Sequence, residues 1–512
     1  MATLEALTNY GEDLEPNSMD IRTEYLEPIT SSTYKYTFRL DQSGYLDTNS
    51  MLTFKLLANN DANTLRPNCW NGVLGSIKRV IFQVGDNIIN DIQDVYKYST
   101  LKNMNMPPSM RNGYLGHYLG NQLWTDVVED GAETYKQHPQ AKEAIDKSTV
   151  GSVYMDGDRS GQLMGKADGS GSGHINSHRI GTDVSTNPQY GITLGMLIPA
   201  LRGQKIPLFL FDRQRILLTF EFNTSDKYVV SSLNAKNDWV NQSNGGTGYG
   251  IADATDVVPA SVQMVVDYII MPSDVQNQVL AQTQKQGGYR LEFYDVVNVE
   301  KNVPAGTDGV EQLVEHRIGQ NNREVHNIYM WKEANDKNDF SKHPATVAQN
   351  SGSKQLFGLL GHQICRGIAS EEMNCNIDGR DEFDHFVFSP VAQYNELKAC
   401  LGSDLRVDRP MYCNDDNTQA SELATMESGL SGVFKPLALS LRNGEMGVVG
   451  AGRVIGQYPI VWKYKRKCAD VKVGAPNVVG CGQALKVNYF IEVSRSANIL
   501  NTGAGMSVMV SY

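Results

Sequence analysis

Few residues of this chain stand at spacings that could do chemistry. His174 and His178 lie four apart, the separation at which two imidazoles on one helical face share a metal ion. A zinc hydrolase would carry its general-base glutamate directly after the first histidine, where Ile175 stands, and the glycine-rich run 165–173 leads into the pair. An exposed loop fits these residues better than a metal centre. Asp156 and Asp158, in Met155-Asp-Gly-Asp-Arg159, could offer carboxylates to a weak cation site, but solvated charge in a turn has the same spacing.

The run Val448-Val-Gly-Ala-Gly-Arg-Val-Ile-Gly456 imitates a dinucleotide fingerprint, whose glycines let the backbone approach a pyrophosphate. A helix must follow, and here Gln457-Tyr-Pro-Ile-Val-Trp-Lys-Tyr464 is strand-like with Pro459 in its place. The run reads as a turn between strands. No Gly-x-Ser-x-Gly nucleophile elbow occurs. The seven cysteines (Cys69, Cys365, Cys375, Cys400, Cys413, Cys468, Cys481) include no Cys-x-x-Cys pair, so they read mostly as buried thiols. Asn223-Thr-Ser225 and Asn241-Gln-Ser243 are glycosylation sequons, which matter only after secretory passage. The sequence therefore assigns no catalytic, cofactor-binding or metal-ligating residue.

Composition points the same way. Of 512 residues, 41% are apolar and 20% charged, with 47 Gly and 24 Tyr, a balance that suits strands and turns and is too apolar for a disordered chain. The length allows two cores of ordinary size. A net charge of −11 repels phosphate backbones, so specific nucleic-acid binding is not expected. The start lacks a basic segment followed by an apolar run, and no stretch of about 18 apolar residues occurs. Synthesis in the cytoplasm without a membrane span is the expectation.

The elements that would position any site are strands. Tyr34, Tyr36, Phe38 and Leu40 alternate with polar residues, and after Gly44 so do Leu52, Phe54 and Leu56; period two marks half-buried antiparallel strands. Ser76–Val84 reads as a strand closed by Gly85-Asp86-Asn87, with a short helix through Ile92, Val95, Tyr96 and Leu101. Further strands are predicted at 192–201, 206–211, 215–222 and 261–271, then a helix from Ser273, then strands at 289–299, 323–331 and 485–493. Val266-Asp-Tyr-Ile-Ile echoes Val487-Asn-Tyr-Phe-Ile, and Ile206-Pro-Leu-Phe-Leu echoes Lys435-Pro-Leu-Ala-Leu, each at about one β-domain's separation. A tandem duplication explains the echoes. The predicted organisation is an N-terminal arm over 1–27, a first sandwich over 28–272, a linker helix over 273–288 and a second sandwich over 289–512.

At these strands the sequence resembles the major capsid proteins of the double jelly-roll lineage, which includes giant viruses of eukaryotes, virophages and polinton-like viruses. The likeness rests on Ser76–Val84 with its glycine turn, on Ile206-Pro-Leu-Phe-Leu, and on Val262–Met271 running into a helix. It rests most on the C-terminus, where Leu485-Lys-Val-Asn-Tyr-Phe-Ile-Glu-Val493 precedes Asn498-Ile-Leu-Asn-Thr-Gly-Ala-Gly-Met506 and a last apolar strand. That end is similar to the family's strand, Asn-x-Leu turn, Gly-Met step and final strand. Asp274-Val275 departs from the family's frequent Glu-Arg pair.

The resemblance implies an all-β fold, a tandem double jelly roll of two eight-stranded antiparallel β-sandwiches with long loops and short helices. It implies a non-enzymatic capsid protein of an icosahedral double-stranded DNA virus, forming homotrimers that serve as pseudo-hexameric capsomers. Implied partners are neighbouring capsomers, penton and minor capsid proteins and an inner membrane, all within the virion. Loops 103–188 and 225–258 would cap the outer surface and lock neighbours. Two other readings stay open: a two-sandwich glycan hydrolase or amidase, using a dispersed pair such as Glu292 and Asp384, and a carbohydrate-binding minor capsid or fibre protein, using loop rings such as Trp124 and Trp239.

Overall fold

The computed structural model describes residues 20–60, 65–67, 72–103, 118–120, 126–128, 134–136, 172–174, 180–185, 187–201, 204–211, 214–231, 250–307, 310–334, 371–401, 436–441, 452–467, 484–501 and 506–511. The first half contributes strands β1 (Asp20–Leu26), β2 (Lys35–Leu40), β3 (Met51–Ala58), β4 (Ile77–Val84) and β5 (Asn87–Gln93), then helix α1 (Val95–Asn103), then β6 (Gln189–Thr193), β7 (Ile216–Phe222) and β8 (Val257–Ile270). Hydrogen bonding orders them β1-β8-β3-β6 in one sheet and β2-β7-β4-β5 in the other.

Helix α2 (Ser273–Lys285) leads to the second half: β9 (Gly288–Val303), β10 (Glu311–Gly319), β11 (Glu324–Ala334), β12 (Glu371–Ile377), β13 (Arg380–Asp381), helix α3 (Pro390–Leu401), β14 (Leu437–Ser440), β15 (Ile460–Lys467) and β16 (Leu485–Asn501). A last strand, β17 (Met506–Ser511), pairs with β16. Here the sheets run β9-β16-β11-β14 and β10-β15-β12-β13. Adding eight to each strand number of the first sandwich reproduces the second. Each is the two-sheet, antiparallel strand order of a jelly roll, so the chain is a double jelly roll.

Alternation builds each wedge. On β2, Tyr36, Phe38 and Leu40 point inward while Lys35, Thr37 and Arg39 do not, and β7 buries Ile216, Leu218, Phe220 and Phe222 the same way. Phe54 of β3 meets Phe222 of β7 edge-on at 5.2 Å, fastening the two sheets. In the second sandwich Trp462 of β15 meets Tyr489 of β16 at 5.7 Å across the same gap. Gly44 has φ +64°, and a Cβ there would lie 2.3 Å from the Ile269 carbonyl oxygen. Only glycine lets the chain turn so close under the end of β8.

The sheet β9-β16-β11-β14 is covered on both faces. Val487, Tyr489, Ile491 and Val493 join the core of the second sandwich, while Phe490, with Phe293, Tyr329 and Trp331, joins the core of the first. That double cover explains why 485–493 reads as a nearly continuous apolar run and not as a clean alternation.

Five sequence expectations shift. Of 192–201 only Ile192-Thr193 is extended, at the end of β6, while Leu194–Leu197 is a helical turn and Pro199–Leu201 a 3-10 turn. Asp20–Leu26, assigned to the arm, pairs residue by residue with β8 and is the edge strand of the first sandwich; its exposed outer face hides the alternation by which a strand is recognised. Ile88, Ile89 and Ile92 belong to β5, hairpinned to β4, so the helix begins only at Val95. Of 206–211 only Ile206-Pro207 is extended, and Leu208–Leu210 is a 3-10 turn, so this stretch is not the counterpart of Leu437–Ser440; β6 is. Asn498–Asn501, matched to a turn, continues β16.

Candidate functional site: a buried polar seam between the sandwiches

Helix α1 follows β5 through Asp94, whose φ of +53° ends the strand. It buries Val95, Tyr98 and Leu101 in the first core, and this orientation carries Lys97 and Lys102 toward the doubly covered sheet of the second sandwich. On that sheet Asn488, Phe490 and Glu492 of β16 face the first sandwich.

Lys97 Nζ lies 2.8 Å from Asn488 Oδ1, 2.5 Å from Glu333 Oε1 and 3.5 Å from Asp94 Oδ2. Trp331 Nε1 donates to the same Glu333 oxygen at 3.1 Å, and Asn488 Nδ2 donates to Asn298 Oδ1 at 3.2 Å. Lys102 pairs with Glu492 and donates to Tyr329 Oη at 2.6 Å. Tyr98 Oη donates to Glu492 Oε1 at 2.5 Å, and Asn327 Nδ2 donates to its other oxygen. A second cluster joins β5 to β9 and β16: Asn90 Nδ2 and Arg495 Nη1 each donate to Asp295 at 2.7 Å, and Arg495 also donates to the Ile89 carbonyl at 2.9 Å. Asn87 Nδ2 reaches the Val508 carbonyl at 2.7 Å.

Burial and pairing compete at each charge. Burial pulls the Lys97 ammonium down, but the carboxylates of Glu333 and Asp94 outweigh it and hold it above its ordinary value. Burial pushes Glu492 up, yet the Lys102 charge with hydrogen bonds from Lys102, Tyr98 and Asn327 brings it down to about 2. At Asp295 burial wins over Arg495, and its carboxyl sits above the usual range. Such buried pairs add little net stability against an apolar seam but fix one docking geometry, since any slip leaves a charge unpaired.

Among the described residues, those singled out in the sequence assemble no site. Glu292 is exposed on β9, 3.1 Å from Arg290, and Asp384 is exposed in the loop after β13. A 250 Å³ recess lined by Leu26, Arg39, Leu40, Asp41, Gln42 and Gln214 includes neither. In the glycine run, the Gly452 amide donates to Glu324 at 2.8 Å and the Gly456 amide to Asp378 at 2.9 Å; carboxylates stand where a phosphate would have to bind. Asn223 is buried and donates to the Gly75 carbonyl at 2.8 Å, so this sequon is closed to modification. Cys375 and Cys400 are buried free thiols, and burial pushes the Cys375 thiol well up. His174 ends a short strand at the backbone level. His178, Asp156, Asp158, Trp124, Trp239, Asn241, Cys69, Cys365, Cys413, Cys468 and Cys481 lie outside the described residues. Among the described residues no cluster of His, Cys, Asp or Glu is arranged to hold a metal ion, and no helix is long and apolar enough to cross a membrane.

No protein-family model matches the sequence, and no curated protein matches it. The fold is similar over nearly its whole length to solved viral structures. Against VP54 of PBCV-1, fitted into a cryo-EM reconstruction of the virophage Sputnik, the TM-score is 0.54 at 8% identity, covering 98% of this chain and 100% of that one. The cryo-EM structure of the Sputnik virophage gives 0.53 at 9% identity, with 99% and 91% covered. The quasi-atomic model of the PBCV-1 capsid gives 0.52 at 9% identity, with 98% and 99% covered.

Proposed function

We propose that the chain is a major capsid protein, three copies of which form a pseudo-hexameric capsomer that tiles an icosahedral shell. The observation that carries this reading is the repetition of one order of eight strands in two docked sandwiches, around which a few short strands differ, matched end to end by proteins whose structures are named for a viral capsid and a virophage. A chain with two similar wedges presents six around a threefold axis when three copies meet, and six wedges approximate a hexagon. The buried seam serves this role: it holds the wedges at one angle, and the angle between them sets the outline of the tile. The work is done by surfaces and not by a reactive centre, so no enzymatic activity belongs to the reading. Neighbouring capsomers, penton and minor capsid proteins, and an inner membrane where one exists, are its partners, and the virion its location. Negative-stain images of the purified full chain test it: particles with a hexagonal outline support the tile, and single-chain particles without threefold symmetry contradict it.

A further inference from the structure

The seam holds a constellation that satisfies a buried charge and also has the parts of a reaction. Lys97, Asn488 and Glu333 bring an amine, a carboxamide and a carboxylate to one point, and each is at most 3% exposed. The amine nitrogen is 2.8 Å from the amide oxygen and 2.5 Å from the carboxylate. The proton carrier and the amide are both held: Trp331 fixes the carboxylate and Asn298 fixes the amide. An amine held against an amide in a dry site reacts as though at very high concentration, and a neighbouring carboxylate supplies the proton transfers. Asn488 is also the amide on β16 that Asp94 approaches, at 3.5 Å from its nitrogen.

We propose that Lys97 and Asn488 join in an intramolecular isopeptide bond, with Glu333 carrying the proton, so that the two sandwiches are covalently tied. The proton that pairing holds on Lys97 must first cross the 2.5 Å contact to Glu333, and in that minor form the freed Nζ lone pair attacks Cγ of Asn488. A C–N bond forms, and the carbonyl electron pair moves to Oδ1. Glu333 then passes a proton to Nδ2 as the carbonyl reforms, the Cγ–Nδ2 bond breaks, and ammonia leaves. A further proton from the new amide nitrogen goes out with the ammonia as ammonium. No oxidant, metal or cofactor is consumed. The proposal stands apart from the capsid reading, because it needs only the folded single chain. The bond would close a loop of 391 residues in sequence and keep the halves joined when either unfolds.

Intact-mass spectrometry of the denatured full chain tests it. The expected mass is lower than that of the sequence by one ammonia. Trypsin should leave 80–102 and 487–495 as one linked species, because Lys97 no longer offers a cleavage site. Lys97→Arg, which keeps the charge but not the nucleophile, should restore the full mass and release the two peptides, as should Glu333→Gln. An unmodified mass in the native chain after long incubation at neutral pH overturns the proposal, and this readout needs no variant to fold. An ammonia loss that survives Lys97→Arg comes from another asparagine and overturns it too. A linked species persisting in Glu333→Gln overturns the proton-carrier role.

Discussion

Glu492 is the residue on which the seam most depends, since Lys102, Tyr98 and Asn327 all converge on its carboxylate. Glu492→Ala leaves the part-buried Lys102 ammonium without its carboxylate, and an expected loss of about 3 kcal/mol, the low end for a broken buried pair, follows; urea unfolding with an unchanged slope and a lower midpoint would record it. The same carboxylate gives a pH dependence whose sign can be worked out. Its folded value, about 2, lies below the ordinary glutamate value of 4.5, so its contribution is complete above that ordinary value and disappears as pH falls toward 2, on the order of 3 kcal/mol in all. His316, buried between Tyr489 and the Asn302 carbonyl, is held below its ordinary value by burial and starts the decline earlier, below about 6.5. Asp295 acts in the opposite sense, because its raised value favours the folded state as it protonates. Thermal unfolding followed from pH 7 to 2 should show the fall, and Glu492→Gln should flatten its acid limb. An acid limb that is the same in Glu492→Gln would remove this residue from the account. None of the seam's charges was legible in the sequence: Lys97 and Lys102 look like the solvated side of a short helix, and only Glu492, set among Val487–Val493, breaks an apolar run in a way that could have drawn notice.

At the scale of elements, legibility followed burial geometry. Strands with one wet face, such as β2 and β7, carried period two and were read correctly, as was the helix after β8, announced by Ser273 following a closed strand. Elements with unusual cover were misread. β1 lies at a sheet edge with its outer face open, so Ile21, Thr23 and Tyr25 are exposed on the side where polar residues mark a strand. Ile206–Phe211 is buried from end to end, and a short apolar run buried on all sides does not distinguish strand from 3-10 turn. The turn at Gly44 was legible as a turn, but its tightness under β8 was not. Gly44→Ala forces a positive φ on alanine and drives its Cβ against the Ile269 carbonyl, for an expected cost on the order of 2 kcal/mol or more. A melting temperature indistinguishable from that of the native chain would show that the turn relaxes freely.

The whole molecule is two copies of one wedge, and the tile proposed above would assemble through what the wedges leave uncovered. Ile21 and Tyr25 are 64% and 74% exposed on the outer strand of the first sandwich, in a place where a second copy could cover them. Replacing both with aspartate should weaken self-association while leaving the unfolding midpoint of the separated chain unchanged, because neither side chain enters a core; sedimentation velocity at several concentrations would read the change. The duplication itself was legible through the paired Val266 and Val487 strands, whereas the docking of one wedge on the other was not, since it depends on contacts between residues hundreds of positions apart. The measurement that bears most directly on the account is the native mass of the folded full chain by sedimentation equilibrium. Three times the 56.6 kDa of one chain, held without any ligand, is the result expected of a capsomer. A single-chain mass that persists across concentrations would contradict it.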